Sequence, residues 1–389
     1  MTEYCVVAVG YNRINSLMRL LSSLNNAEYG ADEVDLIVSL DNAGLPEIVE
    51  MAKGFFWKHG NKKVIVQKER LGLKKHILKC GDYILQYRAG AILEDDIIVS
   101  PVFYEYMKQA VEHYENDDSI AGISLYTHLR HPIAGYPFIP AGSEYDTFFV
   151  QFAQSWGQIW LPKQWCSFKK WLETKDENIG HVKGFPDAVT NWSAKSWLKY
   201  HILYCYETNR YFVYPYDSLS TCCVDIGEHA LQSENAFQVP LLLKQKERYL
   251  FADTENKRAS VFYDVFFERK NISVPGTEGD VSFDIYGLKK QDEIENRFVV
   301  SIQVFDRKIL STYGLALRPP EVNAQMGMEG NQLYLYDMTI AGDNKQLKRN
   351  NVGEYIYFNK IHGQTRLLLK VAITKYIETA KLRLKKHFK

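Results

Sequence analysis

Five short apolar runs alternate with four amphipathic segments over the first 125 residues, and that alternation narrows the folds open to the chain. "YCVVAVG" (4–10) is a β-branched run that ends on Gly10. Ile14, Leu17, Met18, Leu21 and Leu24 then recur at spacings of three and four, the period of an amphipathic helix. "VDLIVSLD" (34–41) ends on Asp41 and leads into a helix from about Pro46, and "KVIVQ" (63–67) precedes the helical "LKKHILKCGDYILQY" (73–87). "GAILED" (90–95) reads as a fourth strand. Ser100 is placed to cap a helix with Pro101 at its first position. Val102, Phe103, Tyr106, Met107, Ala110, Val111 and Tyr114 keep helical spacing behind it, and "IAGISLY" (120–126) is the fifth run. The pattern predicts an α/β fold with a mostly parallel sheet and helices on both faces. Ligands of such sheets sit beyond the carboxyl ends of the strands, where Gly10-Tyr11-Asn12, Asp41 and Glu94-Asp95-Asp96 all fall.

The three adjacent acids pose a physical problem. Side by side they repel, and each is costly to take out of water unless a cation or hydrogen-bond donors receive it. One reading is a solvated acidic turn before a helix N-terminus. At the end of a buried strand, a divalent cation with oxygen ligands accounts for them better, because Mg²⁺ or Mn²⁺ takes one or two carboxylates plus substrate phosphates. The chemistry that uses such a cation is departure of a diphosphate.

The quoted segments, with "IVSLDNAG", "LGLKKHILKCGD" and "ILEDDIIVSPVFYEYM", resemble a GT-A-fold, nucleotide-sugar-dependent glycosyltransferase of the family 2 type. The EDD segment is also similar to N-acetylglucosaminyltransferase I, and "SWGQIW" and "YPYDSLSTCCVDIGEH" resemble the acceptor half of bacterial surface-polysaccharide members. The resemblance covers roughly residues 1–230 and implies a Rossmann-like GT-A fold. It implies Asp96 as metal ligand for Mn²⁺ or Mg²⁺, Asp95 and Glu94 facing the ribose and donor sugar, and Asp41 on the base or ribose. Tyr11, Asn12 and Arg13 would line the nucleotide pocket. Arg70, Lys74 or Lys75 could meet the diphosphate or simply be solvated. Related sequences carry Trp-Asp where this chain has Trp192-Ser193, and serine cannot act as the base by itself. Asp187 is the favoured substitute, with Asp217, Asp225 and Glu228 as others. His229 could be a third metal ligand, a diphosphate donor or structural. Trp156, Trp160 and Trp192 could stack on acceptor sugars or pack a lid.

The implied organisation is a transferase domain over 1–240, with a nucleotide-sugar half (1–125) and an acceptor half (126–240). A C-terminal α+β extension follows over 241–360, with short strands in "VSFDIYG" and "NQLYLYDMTI", then a basic amphipathic helix over 361–389. From Arg366 to Lys389 there are eight Lys/Arg against Glu378, within a chain of 47 basic and 47 acidic residues. The zero net charge disfavours nucleic acid as a partner, while the basic end suits an anionic membrane surface. Six cysteines without CxxC spacing read as reduced thiols, and no signal peptide or membrane span is evident, so a cytoplasmic, membrane-associating protein is expected. The function expected is transfer of a sugar, inverting by analogy, from a nucleotide-diphosphate donor (a UDP-sugar favoured) to a glycan or lipid-linked glycan in surface polysaccharide synthesis. Two rivals stand beside it. A sugar nucleotidyltransferase would want a Gly-rich basic loop that "VGYNRINS" lacks, and a non-catalytic binding protein could have kept the pocket without the base.

Overall fold

The computed structural model describes residues 2–223, 236–244, 246–361, 363 and 365–387. Four parallel strands lie in the order β3-β2-β1-β4: β1 (Tyr4–Gly10), β2 (Val34–Leu40), β3 (Lys62–Val66) and β4 (Ala89–Glu94). All seven residues of β1 are buried, the continuous apolar run expected of a strand covered on both faces. The helices α1 (Ile14–Asn25), α2 (Pro46–Gly54) and α3 (Leu73–Tyr83) connect these strands. Helix α1 buries Leu17, Leu20, Leu21 and Leu24, whereas Met18, expected on that face, points outward. The strand order reverses between β1 and β4, so the topological switch point of this Rossmann-like half lies between Gly10 and Glu94.

A short β5 (Ile97–Val99) follows the carboxylates, then α4 (Phe103–Tyr114). Ser100 organises a turn here: its Oγ accepts from the Val102 N–H at 3.1 Å, and the helix begins at Phe103. Pro101 therefore lies in the turn and is not the first helical residue, as the Ser-Pro pair had suggested. Beyond β6 (Ile120–Ser124) come β7 (Thr147–Val150), β8 (Gln158–Trp160), α5 (Pro162–Leu172), α6 (Asp187–Thr190), α7 (Leu198–Glu207), β9 (Tyr211–Pro215), β10 (Ser220–Cys222) and β11 (Phe262–Tyr263). They extend the sheet to nine strands, order β11-β7-β9-β6-β8-β4-β1-β2-β3. The sheet is mixed, because β8 runs antiparallel to both β4 and β6 and β7 antiparallel to β9. Strand β10 pairs with β5 instead, which carries the chain after residue 215 back beside the carboxylates. The six cysteines form no disulfide.

A second sheet of β12 (Val281–Asp284), β13 (Phe298–Ser301), β14 (Arg307–Tyr313) and β15 (Leu333–Ala341) stands in the order β12-β13-β15-β14. Its small core is Val299, Phe305, Tyr334 and Tyr336, and α8 (Val322–Gln325) lies between β14 and β15. Residues 1–349 form one compact unit and 350–389 another. In the second, Asn350 caps α9 (Asn351–Asn359) by accepting from the Gly353 N–H, and α10 (Thr365–His387) is a helix as expected. Among its described side chains, which run to Ile377, the apolar residues do not share one face. Leu367, Leu368 and Leu369 are consecutive and so fall about 100° apart, and with Val371, Ile373, Tyr376 and Ile377 they ring the helix, all exposed. No helix among the described residues is long and apolar enough to cross a membrane.

One buried acid gives the fold a measurable pH dependence. Glu321, in "LRPPEVN", is 5 % exposed, and burial lifts its carboxyl to about 7, with its own backbone N–H, Arg269 and the Tyr263 hydroxyl opposing. Between 4.5 and 7 the folded chain holds a proton that the unfolded chain has released, so this group's contribution to stability declines as pH rises through that window. Glu321→Gln should match wild type near pH 4.5 and exceed it at pH 8 by up to roughly 3 kcal/mol in urea unfolding. Equal midpoints for the two proteins at both pH values would refute it.

Candidate functional site

The loops after β1, β2 and β4 do converge, and their contacts show how the carboxylates are accommodated. Arg13, ahead of α1, donates through Nη2 to Asp95 Oδ1 and through Nε at 3.3 Å to Asp95 Oδ2. Its Nη2 also stands 3.5 Å from Asp96 Oδ2. The guanidinium thus spans two acids of the trio, in the bidentate geometry that suits arginine. Asp95 is buried beneath it, while the Asp96 side chain keeps 31 % of its surface exposed. Glu94 ends β4 at the bottom of the cluster. Burial, then repulsion from Asp96 and Asp95, pushes its carboxyl up to about 8, with Arg13 and the Trp197 indole pulling the other way.

Asp41 performs a structural task at the end of β2. Its Oδ1 accepts from the Asn42 N–H at 2.9 Å and the Leu71 N–H at 2.8 Å, and its Oδ2 from the Gly72 N–H at 2.9 Å. Gly72, at φ 76°, turns the chain into α3, a conformation that favours glycine. The carboxylate expected on a base or ribose therefore pins the loop that launches α3. That loop brings the Arg70 guanidinium 4.9 Å from the centre of the Tyr11 ring, a cation–π contact linking the ends of β1 and β3. Below it, the buried His76 shares a 2.8 Å hydrogen bond with Ser39 Oγ, and burial lowers its imidazole to about 4.

The remaining sequence-predicted residues divide. Tyr11 and Arg13 lie partly buried at the strand ends, with Asn12 exposed between them. Lys74 is partly buried with its Nζ 3.8 Å from the centre of the Tyr200 ring, and Lys75 faces solvent. Trp160 is fully buried, stacked on Trp165 at 4.4 Å between ring centres, because β8 runs through the middle of the sheet; it is core and not an acceptor platform. Trp156 packs on Tyr126 at 4.9 Å and Phe237 at 5.1 Å, and Trp192 is partly exposed. Asp187, expected as base, sits on the surface with Lys290 Nζ at 2.6 Å and His181 Nδ1 at 3.0 Å. Lys290 and then His181 hold its carboxyl below the usual range, which opposes proton abstraction near neutrality. Asp217 is ion-paired with Lys246 at 3.1 Å. Asp225, Glu228 and His229 lie outside the described residues, though the Cys223 N–H donates to the Asp96 carbonyl at 2.7 Å.

Among the described residues no group of three His, Cys, Asp or Glu could hold a metal. The chemistry fits a cation that draws most of its ligands from phosphate and water: Asp96 Oδ1 has no partner among the described residues, whereas Arg13 covers both oxygens of Asp95.

Sequence reading missed the first turn of α7. Lys199 is 3 % exposed, its ammonium donates to the Trp192 carbonyl at 3.1 Å, and the Tyr200 ring lies under both Lys199 and Lys74. The signal was available, since a single lysine interrupts an otherwise aromatic and aliphatic run, "WLKYHILYCY".

Two cavities lie away from this cluster. One, of about 170 Å³, is lined by Lys183, Tyr206, Asp264, Phe266, Lys289 and Glu293, and the other by residues at the amino end of β1. Topology and the converging charges favour the strand ends over either.

No family model matches the chain, and no curated protein matches it. Solved structures similar to it include TarS 1–349 from S. aureus in complex with UDP-GlcNAc, at 16% identity and TM-score 0.39, covering 59% of this chain and 60% of that one. Another is the mannosyltransferase PcManGT from Pyrobaculum calidifontis in complex with GDP-Man and Mn²⁺, at 14% identity and TM-score 0.37, covering 58% of each chain. The chain thus spans about three-fifths of the length of these structures.

If Arg13 is what makes Asp95 tolerable at its buried position, Arg13→Met should destabilise the protein by about 3 kcal/mol. Adding Asp95→Asn should return a substantial part of that loss in a double-mutant cycle. Strictly additive losses in chemical denaturation would show that the pair is not coupled.

Proposed function

We propose that the protein is a glycosyltransferase that moves a sugar from a nucleotide-diphosphate donor to a hydroxyl of a saccharide or lipid-linked saccharide. The observation that carries this is the charge arrangement at the β1/β4 switch point. A partly exposed Asp96, an arginine-held Asp95 and a set of basic side chains meet where a doubly wound sheet binds its ligand. Tyr11 and Arg70 offer a flat cationic surface for a base or ribose. Asp96 would hold a divalent cation, Mn²⁺ or Mg²⁺, whose contribution when bound is to neutralise charge on the diphosphate.

The reaction is a single displacement that inverts the anomeric carbon. The acceptor oxygen forms the new bond to that carbon and its proton passes to a base. The bond to the phosphate oxygen breaks, and its electron pair leaves with the nucleoside diphosphate. The chain's part is to orient the donor and to oppose the growing negative charge with groups already in place, which is where most of the rate enhancement of such reactions arises. A UDP-sugar donor, a place in surface polysaccharide synthesis, and attachment at the inner membrane face through the eight basic residues after position 365 complete the proposal.

The test is a calorimetric and turnover screen of UDP-, GDP-, CMP- and dTDP-sugars with Mn²⁺ and with EDTA. One nucleotide class should bind, with turnover falling about 100-fold or more in Asp96→Asn, the scale of losing one transition-state charge contact. Binding of glycan without uptake or turnover of any nucleotide sugar would replace this reading with a non-catalytic glycan-binding protein.

A further inference from the structure

The cavity between the loop before α6, helix α7 and the second sheet has no part in the reaction proposed above. It measures about 170 Å³, well above the roughly 10–15 Å³ that holds one water. One wall comes from Lys183, Gly184 and Tyr206, and the other from residues 264–266, Ser282 on β12 and the segment 289–296. Junctions between packed parts of a chain are where ligand pockets concentrate.

Charge is balanced there pair by pair. Lys289 Nζ stands 2.6 Å from Asp264 Oδ2 and donates to Ser282 Oγ at 3.1 Å, with 11 % of its side chain exposed. Lys290 Nζ stands 3.2 Å from Glu293 Oε1, and Lys183 Nζ 3.0 Å from Glu295 Oε1. Glu293 Oε2 also accepts from the Gly184 N–H at 2.8 Å, which ties the two walls together. Outside the lining, Asp187 and His181 extend the network at 2.6 Å from Lys290 and 3.1 Å from Glu293. Among the described residues, the charged side chains that line the cavity are these three lysines and three acids, so the lining is neutral as a whole.

Such a lining selects against two classes of ligand. An ion would have to break one of the pairs and leave a partly buried partner unmatched. An apolar molecule would strip water from all six charges and return no hydrogen bond. A neutral molecule rich in hydroxyls does neither. Its O–H groups donate to carboxylate oxygens, which carry more lone pairs than the lysines use, and its oxygens accept from the ammonium groups and the Asn296 amide. Because each charge is already held by its partner, little side-chain freedom is lost on binding. Val265, Phe266 and Ile294 add an apolar patch to the same lining. A sugar ring has a C–H face to set against that patch, which an open-chain polyol lacks.

We propose that this cavity binds one neutral sugar unit of a saccharide, as a site separate from the strand ends. It would do so whether or not the chain transfers sugar. If the chain does, the bound unit belongs to a part of the acceptor outside the strand-end site, and holding it raises the effective concentration of the reacting hydroxyl there.

The experiment is saturation-transfer NMR on the full chain in EDTA with glucose, galactose, mannose and N-acetylglucosamine, and with acetate and methylammonium as charged controls. The variants are Asn296→Trp, which fills the cavity, and Glu295→Ala, which removes one acceptor. Both positions are exposed, so both proteins should fold, which melting curves will show. At least one of the sugars should bind wild type and give no signal with Asn296→Trp. Glu295→Ala should weaken it by about tenfold, the scale of one hydrogen bond to a charged group. If none of the sugars binds wild type, or if one binds Asn296→Trp undiminished, the site is overturned, and the transferase reading is left to the nucleotide-sugar screen. Acetate or methylammonium binding that is lost in Asn296→Trp would overturn the assignment to a neutral ligand. Sugar binding lost in Asn296→Trp, in a chain that takes up no nucleotide sugar, would keep the site and remove the transferase.

Discussion

The contact between Arg13 and the paired aspartates at the end of β4 is the interaction on which the rest of the site depends. Three adjacent acids at a buried strand end would repel one another and lose their hydration. The fold meets this in three ways. Arg13 neutralises Asp95 from the loop after β1, Asp96 stays partly in water, and burial shifts Glu94 toward its neutral form. The contact also ties the first strand's loop to the fourth's across the switch point, so the electrostatic solution fixes the shape of the ligand site.

A second acid–loop contact does the same work one strand further out. Asp41 gathers the N–H groups of Leu71 and Gly72, and that sets where α3 begins and where Lys74 and Arg70 stand. A carboxylate receiving three backbone donors is well satisfied without a ligand. Its value to the site is geometric, because loosening it would release the loop that carries the site's basic residues.

The parallel half was legible because its strands are covered on both faces and its helices show one face, so period alone separated them: β1 matches the apolar run from Tyr4 to Gly10. The sequence also placed the acids and Tyr11 at the correct end of the sheet. What it could not show was which partner each charge would find. Asp41 meets residues 30 positions later, and Arg13 meets Asp95 across 82. Nothing in a local pattern encodes either. Strand β8 was hidden for a related reason: three residues are too short for a period, and Trp160 reads as a sugar platform until β4 and β6 close around it. Lys199 was missed because a lysine in a helix is normally solvated; its place in an aromatic and aliphatic run was the one local signal, and the burial of nearly the whole of α7 makes it exceptional.

The partners found in three dimensions change the balance of charge among the described residues. In the sequence, the crevice is dominated by acids awaiting a cation. In the fold, Asp41 is spread over backbone donors, Asp95 is matched by Arg13, and Glu94 is driven toward neutrality. Among the described residues Asp96 Oδ1 is then a carboxylate oxygen of the trio without a partner, and the Arg70 guanidinium stands over Tyr11 at the neighbouring strand end. Such a site couples an acid open to a cation with an aromatic ring backed by a guanidinium. The nucleotide-diphosphate donor proposed above suits that pairing, with a diphosphate for a cation at Asp96 and a base or ribose to lie against Tyr11, whereas a neutral glycan offers no group for the cation.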